Sequence, residues 1–507
     1  MSLIKRALTV SGWTFVSRIL GLVRDRLFAG AFGASFLLDA FMLSFQLPNL
    51  LRNLFGEGAL STAFIPRYVQ LREKDQPAAE VFAGRVIARL ALGLSALCGV
   101  MMAVAAGCIL WGPARLVVVA HLSLPQLPFM IFICVSAIMA GVLNGRRHFF
   151  IPAFAPVVLN LCLIATVFMN PEEEIWALPY AVLAAGISQV ILHGWALART
   201  SGGMPPAALG GSPEVSDLRR ATGPVLFSSG IYQLNALLDT VIAYALLGAS
   251  AQGAVAVLYF GNRLLQFPMA LIAHGVGTAA YPELARRAGE GWHATGEGLR
   301  QATRLLAFFL LPAAVGLFVT AEPLVRTIYQ TGLFGADAVA RTVLVTQMLA
   351  LALLPISLGK LQARCFHAHR DQRTPMRLSL AQVALNLALN LVLVQTPLRE
   401  AGLALATAIS SLLGSVAYAV ILARRGAGSP LPAGLLRPAM ASVVMGVAVG
   451  VVLWAWPQPA GRGSGYAALR LGAVVALGAA VYLALAGVGW MKRAAGSAAG
   501  ASPDPDE

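Results

Sequence analysis

The chain has 507 residues, of which 58% are hydrophobic and only 12% are charged. Ordinary soluble domains carry about 25% charged residues, so this composition excludes a soluble globular protein and indicates one that crosses a membrane many times. The formal net charge of +15 would suit a nucleic-acid-binding protein. The positions of the charges favour a different explanation.

Apolar runs long enough to cross a bilayer recur along nearly the whole chain. A transmembrane helix needs about 20 such residues, and the runs predict about fourteen spans with no soluble domain between them. The predicted spans are 8–29, 34–55, 86–110, 117–143, 152–169, 176–198, 221–247, 254–280, 303–320, 342–363, 376–395, 401–423, 434–456 and 467–490. We therefore expect an all-α polytopic membrane protein.

Lysine and arginine residues are unevenly distributed between the connections of these spans. They cluster before the first span, after the second and at every second connection from there on, and they are scarce in the alternate connections. By the positive-inside rule, this bias predicts that both termini lie in the cytoplasm. The basic charge is thus mainly a topology signal, and we expect no nucleic-acid partner.

The two halves of the chain resemble each other. GALSTAFIPRY at 58–68 recurs as HGVGTAAYPEL at 274–284, and IPAFAPVVLNL at 151–161 is echoed by TPMRLSLAQVALNL at 374–387. Six spans per copy give both copies the same orientation, so we expect a parallel repeat of two six-helix lobes with a central cavity between them. The predicted segments are an N-terminal lobe at 1–199, a cytoplasmic linker at 200–218, a C-terminal lobe at 219–425, spans 13 and 14 at 426–492 and a cytoplasmic tail at 493–507.

Charged residues inside the apolar runs are the candidate functional residues. An arginine at a helix centre costs about 2.5 to 3.5 kcal/mol on insertion scales, so it usually faces a cavity, pairs with an acid or lies near the interface. The first span holds Ser17, Arg18, Arg24 and Asp25, and Arg52 and Arg263 lie in other spans. A charge cluster satisfied within one helix is the alternative to a cavity-facing site. Arginines from separate helices favour the cavity, and guanidinium groups there suit a phosphate-bearing anion.

Three acidic residues are further candidates for a functional role. Asp39 opens the second span, where a helix-terminal acid is the alternative to a functional role. Asp239 lies deep in the seventh span without a basic neighbour within a helical turn, which suggests cation or proton binding. Glu57 lies between two glycines, and we expect a flexible cytoplasmic hinge there.

Two stretches near the N-terminus resemble the signature of a known family. GLVRDRLFAGAFGAS followed by LDAFMLSFQLPNLLRNLFGEGALSTAFIPRY resembles the amino-terminal signature of the MurJ/MviN-type lipid II flippases, a branch of the multidrug, oligosaccharidyl-lipid and polysaccharide exporter superfamily. The resemblance is dense over residues 11–70 and continues through NRLLQFPMALIAHGVGTAAYPELAR and DQRTPMRLSLAQVALNLALN. It implies fourteen spans and alternating-access transport of lipid II, an undecaprenyl-diphosphate-linked precursor, to the outer leaflet for peptidoglycan synthesis.

The resemblance also implies roles for individual residues. It assigns the diphosphate site to Arg24, Arg52 and Arg263 with Asp25 beside them, and the lipid-tail groove to spans 13 and 14. We expect Asp25 and Glu57 to pair with these arginines when the site is empty. The functional or gating candidates are Ser17, Arg18, Asp39 and Glu57.

A cation site is the less secure part of the resemblance. Some relatives bind sodium through a span-seven aspartate, an asparagine and an aspartate four residues apart on span eleven, and a threonine on span twelve. Asp239, Asn386 and Thr407 match, but Asn390 stands at the second span-eleven position, which weakens the case for tight sodium binding. Sodium and proton coupling stay as alternatives, together with the membrane potential.

Three other functions compete with this prediction. A flippase for another polyprenyl-linked saccharide would share most of the features, whereas a drug or cation antiporter of the same fold would prefer acids and aromatics to arginines. A membrane enzyme would need clustered carboxylates, and the acids of the predicted cytoplasmic loops are scattered. We therefore expect no enzyme and no bound cofactor. The expected partners are lipid II, membrane lipid and cell-wall synthesis proteins, with a monomeric chain.

Overall fold

The computed structural model describes residues 3–56, 59–169, 174–210, 213–247, 251–429, 434–457 and 464–487. Over these ranges the chain is helical and has no strand, which confirms the predicted all-α class. The α-helices are α1 (Leu3–Phe32), α2 (Phe36–Leu51), α3 (Ala59–Lys74), α4 (Gln76–Trp111), α5 (Ala114–Gln126), α6 (Phe129–Gly145), α7 (Phe150–Met169), α8 (Glu174–Ala198), α9 (Pro213–Ile242), α10 (Ala254–Pro268), α11 (His274–Ala288), α12 (Trp292–Val319), α13 (Ala321–Tyr329), α14 (Ala336–Ala368), α15 (Arg373–Leu393), α16 (Glu400–Leu422), α17 (Leu436–Ala455) and α18 (Ser464–Ala486). Four π-helical segments follow α2, α9, α10 and α16, at Arg52–Gly56, Ala243–Leu247, Met269–Ala273 and Ala423–Ala427.

Eleven helical stretches in the described part are long and apolar enough to cross a membrane. They coincide with eleven of the fourteen predicted spans, namely the third to sixth and the eighth to fourteenth. The other three predicted spans are formed by α1, α2 and α9. Helix α1 falls outside the set because it contains the charged residues of the first span, and α2 because it has only 16 residues. In α9 the apolar part is the shorter stretch Gln233–Leu247.

Two helices lie outside every predicted span. These are α3 and α13, whose sequences ALSTAFIPRYVQLREK and AEPLVRTIY mix charged and apolar residues. A search for apolar runs misses such helices because charged residues interrupt their apolar positions.

The chain divides into two compact units. The first comprises Met1–Tyr244 with Thr331–Phe334, and the second comprises Ala245–Gln330 with Gly335–Glu507. Helix α9 belongs to the first unit, although its residues from 219 onward were predicted to open the second lobe. The physical reason is that Leu218 is buried in the same apolar cluster as Phe64 of α3. The predicted lobe and linker boundaries themselves stay predictions.

The core of the first unit lies between α3, α4 and α6, the end of α8 and the start of α9. Phe64 stacks on Tyr68 and on Phe82, with ring centroids 5.7 and 5.6 Å apart. Val142 and Leu197 close the same cluster from α6 and α8. Burial of these large side chains, at about 25 cal/mol per Å² of apolar surface, anchors α3 to the unit.

Two close backbone approaches mark the internal repeat. In the first unit, the segment after α8 crosses α4 at Gly84, where an added Cβ would lie 1.8 Å from the carbonyl oxygen of Pro206. In the second unit, the segment after α16 crosses α12 at Gly296, where a Cβ would lie 1.9 Å from the carbonyl oxygen of Ala427. Only glycine fits either position, so each copy uses the same device to hold the chain that leaves its sixth span.

The π-helical segments repeat as well. Arg52–Gly56 follows α2, Met269–Ala273 follows α10, and the repeated motifs of 58–68 and 274–284 then extend into α3 and α11. Both of these later helices contain a proline, Pro66 and Pro282. The match between the two copies extends from sequence to helix geometry.

The last two helices pack on α12 within the second unit. Phe308 of α12 joins Met445 and Val449 of α17 and Tyr482 of α18 in one buried cluster. The Tyr482 hydroxyl donates to the carbonyl oxygen of Phe308 at 2.6 Å. Helices α17 and α18, which have no counterpart in the repeat, are therefore attached to the second copy.

Candidate functional site

The charged cluster of α1 forms around Arg24. Its Nε and Nη2 both donate to Asp25 Oδ1, at 3.0 and 2.6 Å, and its guanidinium lies 5.7 Å from the centre of the Phe28 ring. Asp25 is completely buried, whereas the Arg24 side chain remains 12% exposed. The expected pairing of Asp25 with an arginine is thus confirmed for Arg24, and the pair contains its own countercharge.

A second helix completes this cluster. Asn160 of α7 accepts a hydrogen bond from Arg24 Nη1 at 3.1 Å, and its Nδ2 donates to the carbonyl oxygen of Ser17 at 3.1 Å. Edge-to-face contacts of Trp13 with Phe150 and Phe154 hold the same two helices together nearer the N-terminal end of each. Asn160 was not among the predicted functional residues, although a lone amide in the run IPAFAPVVLNLCL was a signal for it.

Arg18 does not share the environment of Asp25. The two residues are seven apart and were expected on one face of α1, but Arg18 is exposed and Asp25 is buried. The reason is that most side chains from Thr9 to Leu20 are exposed, whereas buried positions begin at Gly21 and recur through the rest of α1. Ser17 is half-buried and takes part in the site through its carbonyl.

Arg52 is held by amides. It opens the π-helical segment after α2, where its Nε donates to Asn49 Oδ1 at 3.1 Å and its Nη2 to Asn53 Oδ1 at 2.9 Å. Asn53 in turn donates to Gln233 of α9 at 3.4 Å. The amides orient the Arg52 guanidinium without adding a negative charge.

The third predicted anion-site arginine and two of the gating candidates belong to other segments of the chain. Arg263 lies half-buried on α10 in the second unit. Glu57 lies outside the described residues. Asp39 is completely buried in the first turn of α2, whose N-cap residue Ser35 accepts from Leu38 N at 3.3 Å. Its position at a helix N-terminus is one that stabilises a carboxylate.

Three of the four predicted cation-site residues form one hydrogen-bonded cluster in the second unit. Asn390 Nδ2 donates to Asn386 Oδ1 at 2.9 Å, and Asn386 Nδ2 donates to Thr407 Oγ1 at 3.4 Å. Both asparagines are buried. Asp239 belongs to the first unit, where Asn235 donates to it at 3.5 Å. The three side chains of the second unit carry neutral oxygens, and among the residues searched no group of three or more His, Cys, Asp or Glu side chains could hold a metal ion.

A buried ion pair near the end of α6 was not predicted as a site. Arg146 Nη2 binds Glu80 of α4, Arg146 Nε donates to the Tyr68 hydroxyl at 3.1 Å, and that hydroxyl donates to Glu80 Oε1 at 2.9 Å. Tyr68 lies on α3, outside the candidate spans, and burial raises its pKa to about 12, so it remains protonated and able to donate. Arg146 also donates to Thr200 and, at 2.9 Å, to the carbonyl oxygen of Gly203. The cluster ties the segment after α8 to three helices.

Comparison with known proteins identifies the family of this chain. The sequence model described as lipid II flippase MurJ matches residues 28–460. The lipid II flippase MurJ of Burkholderia cenocepacia is 33% identical over 454 residues, covering 86% of this chain and 87% of that protein. The probable lipid II flippase MurJ of Rhizobium meliloti is 31% identical over 518 residues, covering 96% of this chain and 94% of its own length.

Solved structures agree on the fold. A lipid II flippase MurJ in an inward closed conformation superposes with a TM-score of 0.78 at 24% identity, over 96% of this chain and 99% of that one. An inward-facing multidrug resistance transporter of the MATE family, in the MOP superfamily, gives a TM-score of 0.68 at 14% identity over 81% of this chain and 94% of its own. The predicted superfamily fold is confirmed.

Proposed function

Because the chain belongs to the lipid II flippase MurJ family, we propose that it carries lipid II from the inner to the outer leaflet of a bacterial cytoplasmic membrane for peptidoglycan synthesis. The observation that carries the proposal is the Arg24 cluster, a permanent positive charge held on α1 between Asp25 and Asn160. A multi-pass helical protein with this charge suits a lipid-linked anion better than a hydrophobic cation, which the arginines would repel.

The chemistry of the site follows from the ligands of Arg24. Its Nε and Nη2 lie side by side on one carboxylate oxygen, and the same edge of a guanidinium fits two phosphate oxygens. A diphosphate entering the site replaces Asp25 on that edge. The carboxylate meanwhile limits the cost of a buried positive charge while no substrate is bound.

Arg52 and Arg263 complete the proposed anion site. Arg52 is oriented by the side-chain amides of Asn49 and Asn53. Ser17, Arg18, Asp39 and Glu57 are proposed to act in binding or gating. Helices α17 and α18 are proposed to take the polyprenyl tail, which stays in the apolar phase while the head group crosses.

The proposed transport cycle is alternating access, with head-group binding from the cytoplasm and release on the outer side. The bias of lysine and arginine supports cytoplasmic placement of both termini. Moving one charge through 100 mV changes its free energy by about 2.3 kcal/mol, so an inside-negative potential favours outward movement of an anion. Sodium or proton coupling through Asp239, Asn386, Asn390 and Thr407 is the further proposal for resetting the protein, and its oxygen-rich side chains support it.

Complementation tests the proposed function. The protein is expressed while the lipid II flippase of a bacterial host is depleted, and growth and exposure of lipid II on the outer leaflet are measured. We expect rescue by the parent chain and loss of rescue by Arg24→Ala at equal membrane abundance. The control is Arg67→Ala, since Arg67 is exposed and pairs at the surface with the exposed Asp217 at 3.3 Å.

The outcomes separate the alternatives. Rescue by the parent and by Arg67→Ala, but not by Arg24→Ala, supports both the substrate and the site. Normal rescue by Arg24→Ala contradicts the site assignment. A parent chain that inserts correctly and does not expose lipid II contradicts the substrate and favours another polyprenyl-linked saccharide.

A further inference from the structure

We propose that Asn160 is a positioning residue for Arg24, which fixes the guanidinium in the orientation that binds the phosphates of the substrate. The inference deepens the proposed function and rests on it. Asn160 lies on α7, 136 residues from Arg24 in sequence, and is 7% exposed. It would act on the substrate only through the arginine.

The Arg24 guanidinium is held from two directions. Asp25 binds the edge formed by Nε and Nη2, while Asn160 Oδ1 binds the remaining nitrogen, Nη1, at 3.1 Å. A phosphate that takes over the first edge therefore leaves the Asn160 bond in place. The arginine keeps its orientation during the exchange of its anionic partner.

Only an amide satisfies both sides of this position. Asn160 presents its oxygen to a guanidinium, which needs an acceptor, and its nitrogen to the Ser17 carbonyl at 3.1 Å, which needs a donor. An aspartate would set a carboxylate oxygen against that carbonyl. The two contacts together fix the rotamer of Asn160, so that the residue is itself preorganised.

Charge gives a second reason for an amide. Arg24 already has a full countercharge in Asp25. A further carboxylate would compete with the substrate for the guanidinium and would repel a diphosphate. A neutral dipole holds the guanidinium in place and adds no negative charge to the site.

The same position of the internal repeat supports this interpretation. Asn160 in the echoed motif VVLNL corresponds to Asn386 in QVALNL. Asn386 is also buried, and its Nδ2 donates to Thr407 and Ser410 of the neighbouring helix α16. Both copies thus use an asparagine to reach a neighbouring helix, and in the first copy the amide oxygen is turned to a charged group.

A double-mutant cycle on the full-length protein tests the inference. Parent, Asn160→Ala, Arg24→Ala and the double variant are placed in nanodiscs of phosphatidylethanolamine and phosphatidylglycerol, and the dissociation constant for lipid II is measured. A hydrogen bond to a charged group predicts that Asn160→Ala weakens binding about tenfold when Arg24 is present and less than about twofold when it is absent. Asn160→Leu, which keeps α7 packed, is expected to behave in the same way.

The matched control is Ser136→Ala. Ser136 is buried on α6 in the same unit and hydrogen-bonds His193 at 3.0 Å, so its loss tests general damage to the unit. We expect its effect on binding to be the same with and without Arg24. Equal effects of Asn160→Ala in the two backgrounds would overturn the positioning role, whereas a parent protein that does not bind lipid II would overturn the proposed function itself.

Discussion

Removal of the Glu80 carboxylate is expected to destabilise the protein strongly. Glu80 pairs with Arg146, and the two side chains are 8% and 1% exposed. Loss of one partner from a buried ion pair typically costs about 3 to 5 kcal/mol, because the other charge stays buried without compensation. Arg146 retains its bonds to Thr200 and Gly203, so we expect Glu80→Ala to lower the free energy of unfolding by a value near the bottom of that range, about 3 kcal/mol.

Reversible denaturation in detergent micelles measures this free energy. The control is Asp217→Ala, since the Asp217 and Arg67 side chains are 58% and 44% exposed. A surface pair contributes about 0 to 1 kcal/mol, so this variant should remain close to the parent protein. Protease resistance of the segment 200–210 provides a second readout, because Arg146 holds that segment.

Two results would contradict the reasoning. One is a loss below about 1 kcal/mol for Glu80→Ala, which would place the pair in the surface class. The other is a double variant, Glu80→Leu with Arg146→Met, that is as unstable as the sum of the single changes. Replacement of both charges by apolar groups should restore much of the loss.

Two further predictions concern packing and pH. Gly84→Ala should lower the free energy of unfolding by about 1 to 3 kcal/mol, since the new methyl group would overlap the Pro206 carbonyl, and a parent-like thermal midpoint would contradict that contact. Burial and the charge of Arg425 lower the pKa of His369, so protonation favours the unfolded state and stability should fall as pH drops below about 6.5. His369→Gln should flatten the pH dependence of the thermal midpoint between pH 7.5 and 5.5, about one unit either side of the ordinary histidine pKa. An unchanged slope would assign the pH dependence to other groups.

Hydropathy and charge were enough to predict most of the fold. The spans are separate apolar runs, and each run becomes a helix because no water is available to its backbone groups in a bilayer. The pairing of Arg24 with Asp25 was also predictable, since the two residues are neighbours in sequence and opposite in charge.

Contacts between distant segments were not predictable in the same way. Asn160 reaches Arg24 across 136 residues, and Arg146 reaches Glu80 across 66. A single sequence shows that a polar residue lies in an apolar run, but its partner is decided by how the helices pack. The membership of α9 in the first unit has the same origin, because it depends on which apolar cluster buries Leu218.

The π-helical segment between α10 and α11 affects which side of α11 faces the core. A π-helical turn accommodates one residue more than a regular α-helical turn, and α10 to α11 otherwise form one continuous stretch, Ala254–Ala288. Deleting one residue from Met269–Ala273 would let the stretch close into a regular helix with α11 still facing nearly the same way, because the π-helical turn already absorbs one extra residue. Deleting one residue from a regular α-helical part of the stretch would instead turn α11 by about 100° about its axis, and Leu284, now buried, would leave the core. The π-helical segment is thus a place where the chain can lose a residue without turning the helix that follows.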